Sequence, residues 1–228
     1  MPAPLTIVIP AYNAEGVLPL CLSSLLPGLE TSLISEVILV DGGSTDQTIR
    51  IAEAAGATVL RSPVKQRAAQ LRLGFDHARG KWLLFLHADT ALSRDWAERV
   101  QAHLATRPDQ AAAFTLAYRS DAPMAKVVAR RANWRARVLA LPYGDQGLLI
   151  SRDLYMHVGG YADIPFMEDV HLVRRLGKKR LTLLSAEART DAAKYERDGW
   201  RKRSWQNALL ITRYLLGAPP EKLAKSYR

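Results

Sequence analysis

Apolar residues gather in four short runs early in the chain, at residues 5–9, 36–40, 57–60 and 82–86. Each run is too short for a globular helix and shows little polar alternation, which predicts strands buried on both faces. Between them, at 17–26, 45–55 and 65–78, apolar residues recur at helical spacing, with Gly56 and Gly80 as stop signals. Strand and helix in alternation is the pattern of βαβ units and predicts a parallel sheet covered on both sides. Beyond residue 90 the alternation loosens into a helix at 93–106, a strand at 111–117 and a basic helix at 124–141. Short strands at 148–150 and 181–184 follow, then an amphipathic helix at 205–216 whose apolar face is expected to pack on the body, with lipid as its alternative. No repeat, low-complexity stretch or linker divides the chain. The expectation is a single α/β domain over 1–228, with a first half at 1–90, a mixed second half at 91–199 and a basic helical tail at 200–228.

The length of 228 residues and a hydrophobic share of 48% are enough for one substantial core. Charge changes the picture more. The formal net charge of +10 lies wholly in the last quarter: residues 1–171 hold 17 basic and 17 acidic side chains, residues 172–228 hold 15 and 5. Such a field attracts a pyrophosphate, an anionic acceptor or an anionic membrane surface, and charge alone does not choose among them. Nucleic acid is disfavoured, because the tail lacks interleaved aromatics and the signatures of a nucleic-acid module. The single cysteine, Cys21, lies in an apolar stretch and reads as a buried thiol of a reducing compartment. Met1 is followed by Pro-Ala-Pro and a strand-like run, without the pattern of an export signal, and no apolar run approaches the roughly 20 residues that span a bilayer. A cytoplasmic chain is expected, with peripheral contact of the basic tail at the inner membrane face left open.

Ligands of open α/β sheets bind beyond the carboxyl ends of the strands. There the first run gives Pro10-Ala11-Tyr12-Asn13-Ala14-Glu15, the second Asp41-Gly42-Gly43-Ser44-Thr45-Asp46, and the fourth His87-Ala88-Asp89-Thr90. An aromatic to stack on a base, acids for ribose and base edges, and an acid for a cation would together make a nucleotide pocket. Singly, each reads as readily as a turn or helix cap; their joint position at one sheet edge favours the pocket. Neither G-x-G-x-x-G nor a P-loop lysine motif is present, which leaves a cation to hold phosphate. Asp89 offers the hard oxygen that Mg²⁺ or Mn²⁺ takes.

These segments resemble family-2 glycosyltransferases of the GT-A fold over essentially the whole chain. Ile7-Val8-Ile9-Pro10-Ala11-Tyr12-Asn13-Ala14-Glu15 looks like the family's opening motif, and Leu39-Val40-Asp41-Gly42-Gly43-Ser44-Thr45-Asp46 is similar to its second, with Gly42 in place of the usual second aspartate. Lys65-Gln66-Arg67-Ala68-Ala69-Gln70 looks like its arginine-bearing helix, and His87-Ala88-Asp89 stands where an acid-x-acid metal motif is usual. Gly159-Gly160-Tyr161 with Phe166-Met167-Glu168-Asp169 resembles the acceptor-side segment. Tyr143-Gly144-Asp145-Gln146-Gly147 and Leu215-Leu216-Gly217-Ala218-Pro219-Pro220 resemble a bacterial subgroup of small soluble members; Ala193-Lys194-Tyr195 departs from its usual double-arginine-tryptophan segment.

The resemblance implies a GT-A sheet, Rossmann-like in its first half, and a nucleotide site of Pro10, Ala11, Tyr12, Asn13, Glu15, Asp41, Ser44, Arg67, Ala88 and Asp89. It implies Asp89 as the ligand of Mn²⁺ or Mg²⁺, and Gln146, Gly147, Gly160 and Glu168 on the sugar and acceptor side. Asp169 is implied as the general base for an inverting transfer from a nucleoside diphosphate sugar, uridine being the expected base, to a hydroxyl acceptor of unknown identity. The rival readings are a nucleotidyltransferase, which needs a phosphate-binding loop that is missing here, and a non-catalytic nucleotide-sugar binder, which would have no use for Asp169.

Overall fold

The computed structural model describes residues 3–226. The first half runs β1 (Leu5–Ala11), α1 (Leu18–Ser23), α2 (Leu26–Glu30), β2 (Ile34–Asp41), α3 (Thr48–Ala54), β3 (Thr58–Arg61), α4 (Arg67–His77) and β4 (Trp82–Phe85). All four expected strands form, and β3-β2-β1-β4 pair in parallel. The helix expected at 17–26 is instead two short ones, because Pro27 in the first turn of α2 has no N–H to give to α1.

The second half adds β5 (Thr90–Leu92), α5 (Trp96–Thr106), β6 (Ala111–Tyr118), α6 (Pro123–Leu139), β7 (Leu148–Ser151), α7 (Arg152–His157), α8 (Glu168–Leu176) and β8 (Leu181–Thr190). It closes with α9 (Ala193–Asp198), α10 (Trp200–Leu215) and α11 (Pro220–Ser226). Among the described residues the strands make one mixed sheet in the order β3-β2-β1-β4-β7-β6-β8-β5. β7 is antiparallel to both β4 and β6, β6 is parallel to β8, and β8 is antiparallel to β5. These directions bring the carboxyl ends of β4, β6 and β8 and the amino ends of β7 and β5 to one edge. That edge continues the one where β1 and β2 end. A register shift between Phe114 and Thr115 bulges β8 next to it.

Two apolar layers sandwich the sheet. Leu5, Ile7 and Ile9 of β1 point into one with Leu18, Cys21 and Trp96, while Val8 points into the other with Val40, Leu71, Val170, Leu210 and Ile211. The amphipathic helix, α10, therefore packs on the body through Leu210, Ile211 and Tyr214, as expected. No helix among the described residues is long and apolar enough to cross a membrane.

Gly74 sets how closely α4 lies on the sheet. A Cβ there would collide with Cγ1 of Val8 and come within 3.2 Å of Cγ2 of Val40. Overpacking of about 1–3 kcal/mol set against roughly 1 kcal/mol gained in helix propensity should leave Gly74→Ala destabilised by up to about 2 kcal/mol. A urea titration reads this as a lowered midpoint with unchanged slope; a midpoint at or above the parent's would show that α4 can lift away freely.

Candidate active site

The β1–α1 and β2–α3 loops are tied into one unit by their polar side chains. The Asn13 amide N–H donates to Oγ of Ser44 at 2.8 Å, and the Thr45 N–H donates to Oδ1 of Asn13 at 2.9 Å. The Glu15 N–H donates to Asp46, and the Gln47 N–H donates to Oε2 of Glu15. Asn13 has a φ of 46°, a left-handed conformation that Asn tolerates. Pro10 and Ala11 close β1 in pairing with Val40 and Asp41. Asp41 is buried, and its carboxylate accepts the N–H groups of Gly43 and Ser44. Tyr12 is exposed, with Nζ of Lys65 3.3 Å from its ring centroid. The glycine at 42 also has a structural reason. Buried Gln70 donates to the carbonyls of Ala11 and Val40, and a Cβ on Gly42 would lie 2.9 Å from its Nε2.

Beyond β4 the chain enters a cleft lined by Arg67, His87, Asp89, Gly144, Asp145, Asp169 and Lys194, with Tyr118, Tyr143 and Tyr195 on its walls. Ala88 is buried behind Asp89. Cys21 is fully buried beneath, its Sγ 3.5 Å from the carbonyl of His87, and burial pushes its thiol up to about 12. Asp169 sits in the first turn of α8, where Met167 at φ 64° turns the chain into the helix. Its Oδ2 accepts the Gly144 N–H at 2.7 Å and its Oδ1 the Val170 N–H at 2.7 Å, so the carboxylate has one orientation. Burial, and next the positive Arg67, hold His87 down to about 4, so its ring is neutral near pH 7. On its Gly144 side there is no room: a Cβ on Gly144 would lie 2.6 Å from its Nε2.

Among the described residues no three His, Cys, Asp or Glu side chains gather as a ready-made metal cage. A cation held mainly by phosphates and water needs only one or two carboxylates. Asp89 fits that demand. The hydroxyls of Thr90 and Thr190 donate weakly to its Oδ1, at 3.3 and 3.4 Å, and among the described residues no hydrogen bond is made to its Oδ2. Asp145 brings another acid to the cleft, and its Oδ1 is buried without a hydrogen-bond partner.

Residues 6–162 match the family described as glycosyl transferase family 2. The chain belongs to that family. Among curated relatives of this family-2 chain, a PGL/p-HBAD biosynthesis glycosyltransferase of Mycobacterium bovis is 39% identical over 99 residues, covering 40% of this chain and 38% of that protein. An undecaprenyl-phosphate 4-deoxy-4-formamido-L-arabinose transferase of Shewanella sediminis is 37% identical over 93 residues, covering 37% and 28%. These matches thus span less than two fifths of the relatives' own length. The glucosyl-3-phosphoglycerate synthase of Mycobacterium tuberculosis, solved with Mn²⁺, uridine diphosphate and glucosyl-3-phosphoglycerate, superposes with a TM-score of 0.61 at 21% identity, over 95% of this chain and 81% of that one. S. aureus TarS 1-349 with UDP gives 0.63 at 17% identity, over 84% and 62%. At such identities the superpositions establish the fold alone: it is the GT-A fold of family-2 glycosyltransferases.

The structure gathers Arg67, Asp89 and Asp169 in one cleft, and Pro10 to Glu15, Asp41 and Ser44 along the same edge. It sets others apart. Glu168 is buried and forms an ion pair with Nε of Arg67. Gln146 is fully buried and donates to the carbonyl of Phe114. Gly147 and Gly160 are turn residues at φ 63° and 59°, backed by Phe114 and by the Tyr155 ring respectively. Gly147 borders a small cavity that shares Arg67, His87 and Asp169 with the cleft. Asp145, part of the motif that holds Gly147 but given no role there, is the acid that faces the cleft from that segment.

Burial raises Asp145 from 3.8 to about 6, against the pull of Arg135 and with the help of Asp169 and Asp89. Its folded-state value lies above its unfolded one, so its favourable contribution is complete below about pH 4 and is lost as pH rises through about 6. Asp145→Asn, measured without metal, should therefore gain in melting temperature on the parent between about pH 4 and pH 7. Parallel curves would mean that this carboxyl is solvated.

Proposed function

We propose that the chain transfers a sugar from a nucleoside diphosphate donor, with uridine as the base, to a hydroxyl acceptor with inversion at the anomeric carbon. The observation that carries this reading is that Asp89 and Asp169 line one cleft although 80 residues separate them in the chain. The solved relatives with uridine diphosphate, one of them also with Mn²⁺, support the choice of donor and cation. Tyr12 and Asp41 hold the nucleoside, and Arg67 and Lys194 face the diphosphate. Mg²⁺ or Mn²⁺ would be held by Asp89, and when bound it neutralises charge on the departing diphosphate.

Asp169 takes the proton of the acceptor hydroxyl. The acceptor oxygen then bonds to the anomeric carbon as the carbon–oxygen bond to the diphosphate breaks on the opposite side, which inverts the centre. The fixed orientation of Asp169 between Gly144 and Val170 gives the positional accuracy that such proton transfer demands. The deeply buried thiol suits a reducing, cytoplasmic setting for this reaction.

Asp169→Asn should leave donor binding close to that of the parent and lower turnover about 100-fold or more. Turnover is read as nucleoside diphosphate released from nucleotide sugars in the presence of acceptor extracts, and a parent-like rate would remove Asp169 from the role. Calorimetry of uridine diphosphate binding with and without Mn²⁺ checks the cation. The parent should bind more tightly with it and Asp89→Ala should show no difference, whereas a parent indifferent to Mn²⁺ would sink the metal assignment.

A further inference from the structure

Helix α10 carries two apolar stripes, and among the described residues only one is packed against the body. Arg203, Asn207 and Leu210 line the cleft, and Leu210, Ile211 and Tyr214 are buried against the body. At about 100° per residue, Trp205, Leu209 and Leu216 fall within roughly 40° of one another on the opposite side. There Trp205 is 73% exposed and Leu216 83%. Exposed Arg201 flanks this stripe on one side, Lys202 and Arg213 on the other.

The neighbouring helix α6, which packs on α10, repeats the arrangement. Its inner face is Ala125, Val128, Ala129, Ala132 and Ala136. Opposite lie Val127, Trp134 and Val138, again within roughly 40°, with Trp134 59% exposed. Exposed Lys126, Arg130 and Arg137 flank this stripe on one side and Arg131 on the other. Neither helix contains an acid.

A tryptophan with aliphatic neighbours, bordered on both sides by Arg and Lys, is the pattern of a helix lying in a lipid–water interface: the rings enter the headgroup layer and the cations meet anionic lipid. Charge selects this occupant over a second copy of the chain, since two such faces would repel. It is favoured over nucleic acid because valine and leucine between the tryptophans offer bases nothing to stack on. We propose that α6 and α10 together form a membrane-docking face that seats Trp134 and Trp205 in an anionic bilayer. The surface thus extends beyond the basic tail to a helix in the middle of the chain. Because the inner side of α10 lines the cleft, docking holds the cleft about one helix diameter, roughly 10 Å, from the lipid surface. The proposal is independent of the donor assignment.

The test is co-sedimentation of the full chain with vesicles of phosphatidylcholine mixed with phosphatidylglycerol, alongside tryptophan emission. The parent should bind the mixed vesicles at low salt, with emission moving to shorter wavelength, and bind pure phosphatidylcholine far less. Trp134→Ser with Trp205→Ser should weaken vesicle binding by about tenfold or more while melting temperature and uridine diphosphate binding stay those of the parent. Arg130→Gln with Arg131→Gln, Arg201→Gln and Lys202→Gln should remove most of the salt dependence. Four results would overturn it: no binding to anionic vesicles, vesicle binding unaffected by loss of both tryptophans, self-association that disappears in the tryptophan variant, or preference for a single-stranded oligonucleotide over vesicles.

Discussion

The ion pair between Arg67 and Glu168 joins the two halves of this molecule at the floor of its cleft. Glu168 is buried, and a buried carboxylate is tolerable only with a partner that neutralises and hydrogen-bonds it. Arg67 supplies both, from the first turn of a helix that starts 101 residues earlier. The pair thereby locks the amino end of α4 to that of α8, and with it the position of the next residue, Asp169. Gly74 and Gln70 hold α4 from behind: one lets the helix sit close on the sheet, the other stitches it to the ends of β1 and β2. Arrangement of the cleft thus depends on an ion pair whose acidic half, Glu168, is closed off from solvent while Arg67 reaches the cleft.

Sheet direction does the rest. Reversal of β7 relative to β4 is what carries Gly144 and Asp145 to the edge where Asp89 emerges, and the return to parallel at β8 carries Thr190 and Lys194 there too. A purely parallel continuation would have placed the start of β7 at the far edge. The acidic residues therefore meet because the second half of the sheet is mixed.

Strands β1 and β4 were legible because burial on both faces leaves unbroken apolar runs, a signal that needs no neighbours to interpret. β2 is buried throughout only at its carboxyl end, and β3, an edge strand exposed at both ends, was legible from its place in the alternation. β5, three residues directly after Asp89, has no pattern of its own and exists through pairing with β8. The break between α1 and α2 was written in Pro27, which periodicity alone overrode. At the site, motif order pointed to Asp89 and Asp169, which share a cleft, and the resemblance put Gln146 and Glu168 on the sugar and acceptor side. Motifs do not report burial: Gln146 and Glu168 are enclosed side chains, whereas Asp145 lines the cleft. Gly42 held the clue to Gln70, since a missing side chain at a packed strand end implies that something else fills the space.

The position of Cys21 has a practical consequence. Its sulfur is wholly enclosed beneath the loop that presents His87 and Asp89, and it is the sole thiol of the chain. A reagent can reach it only when the β1–α1 side parts from the sheet, so the rate of covalent labelling counts those openings. The protein thus carries a native gauge of how tightly its donor-side floor is closed, readable by mass after thiol labelling without any engineered cysteine.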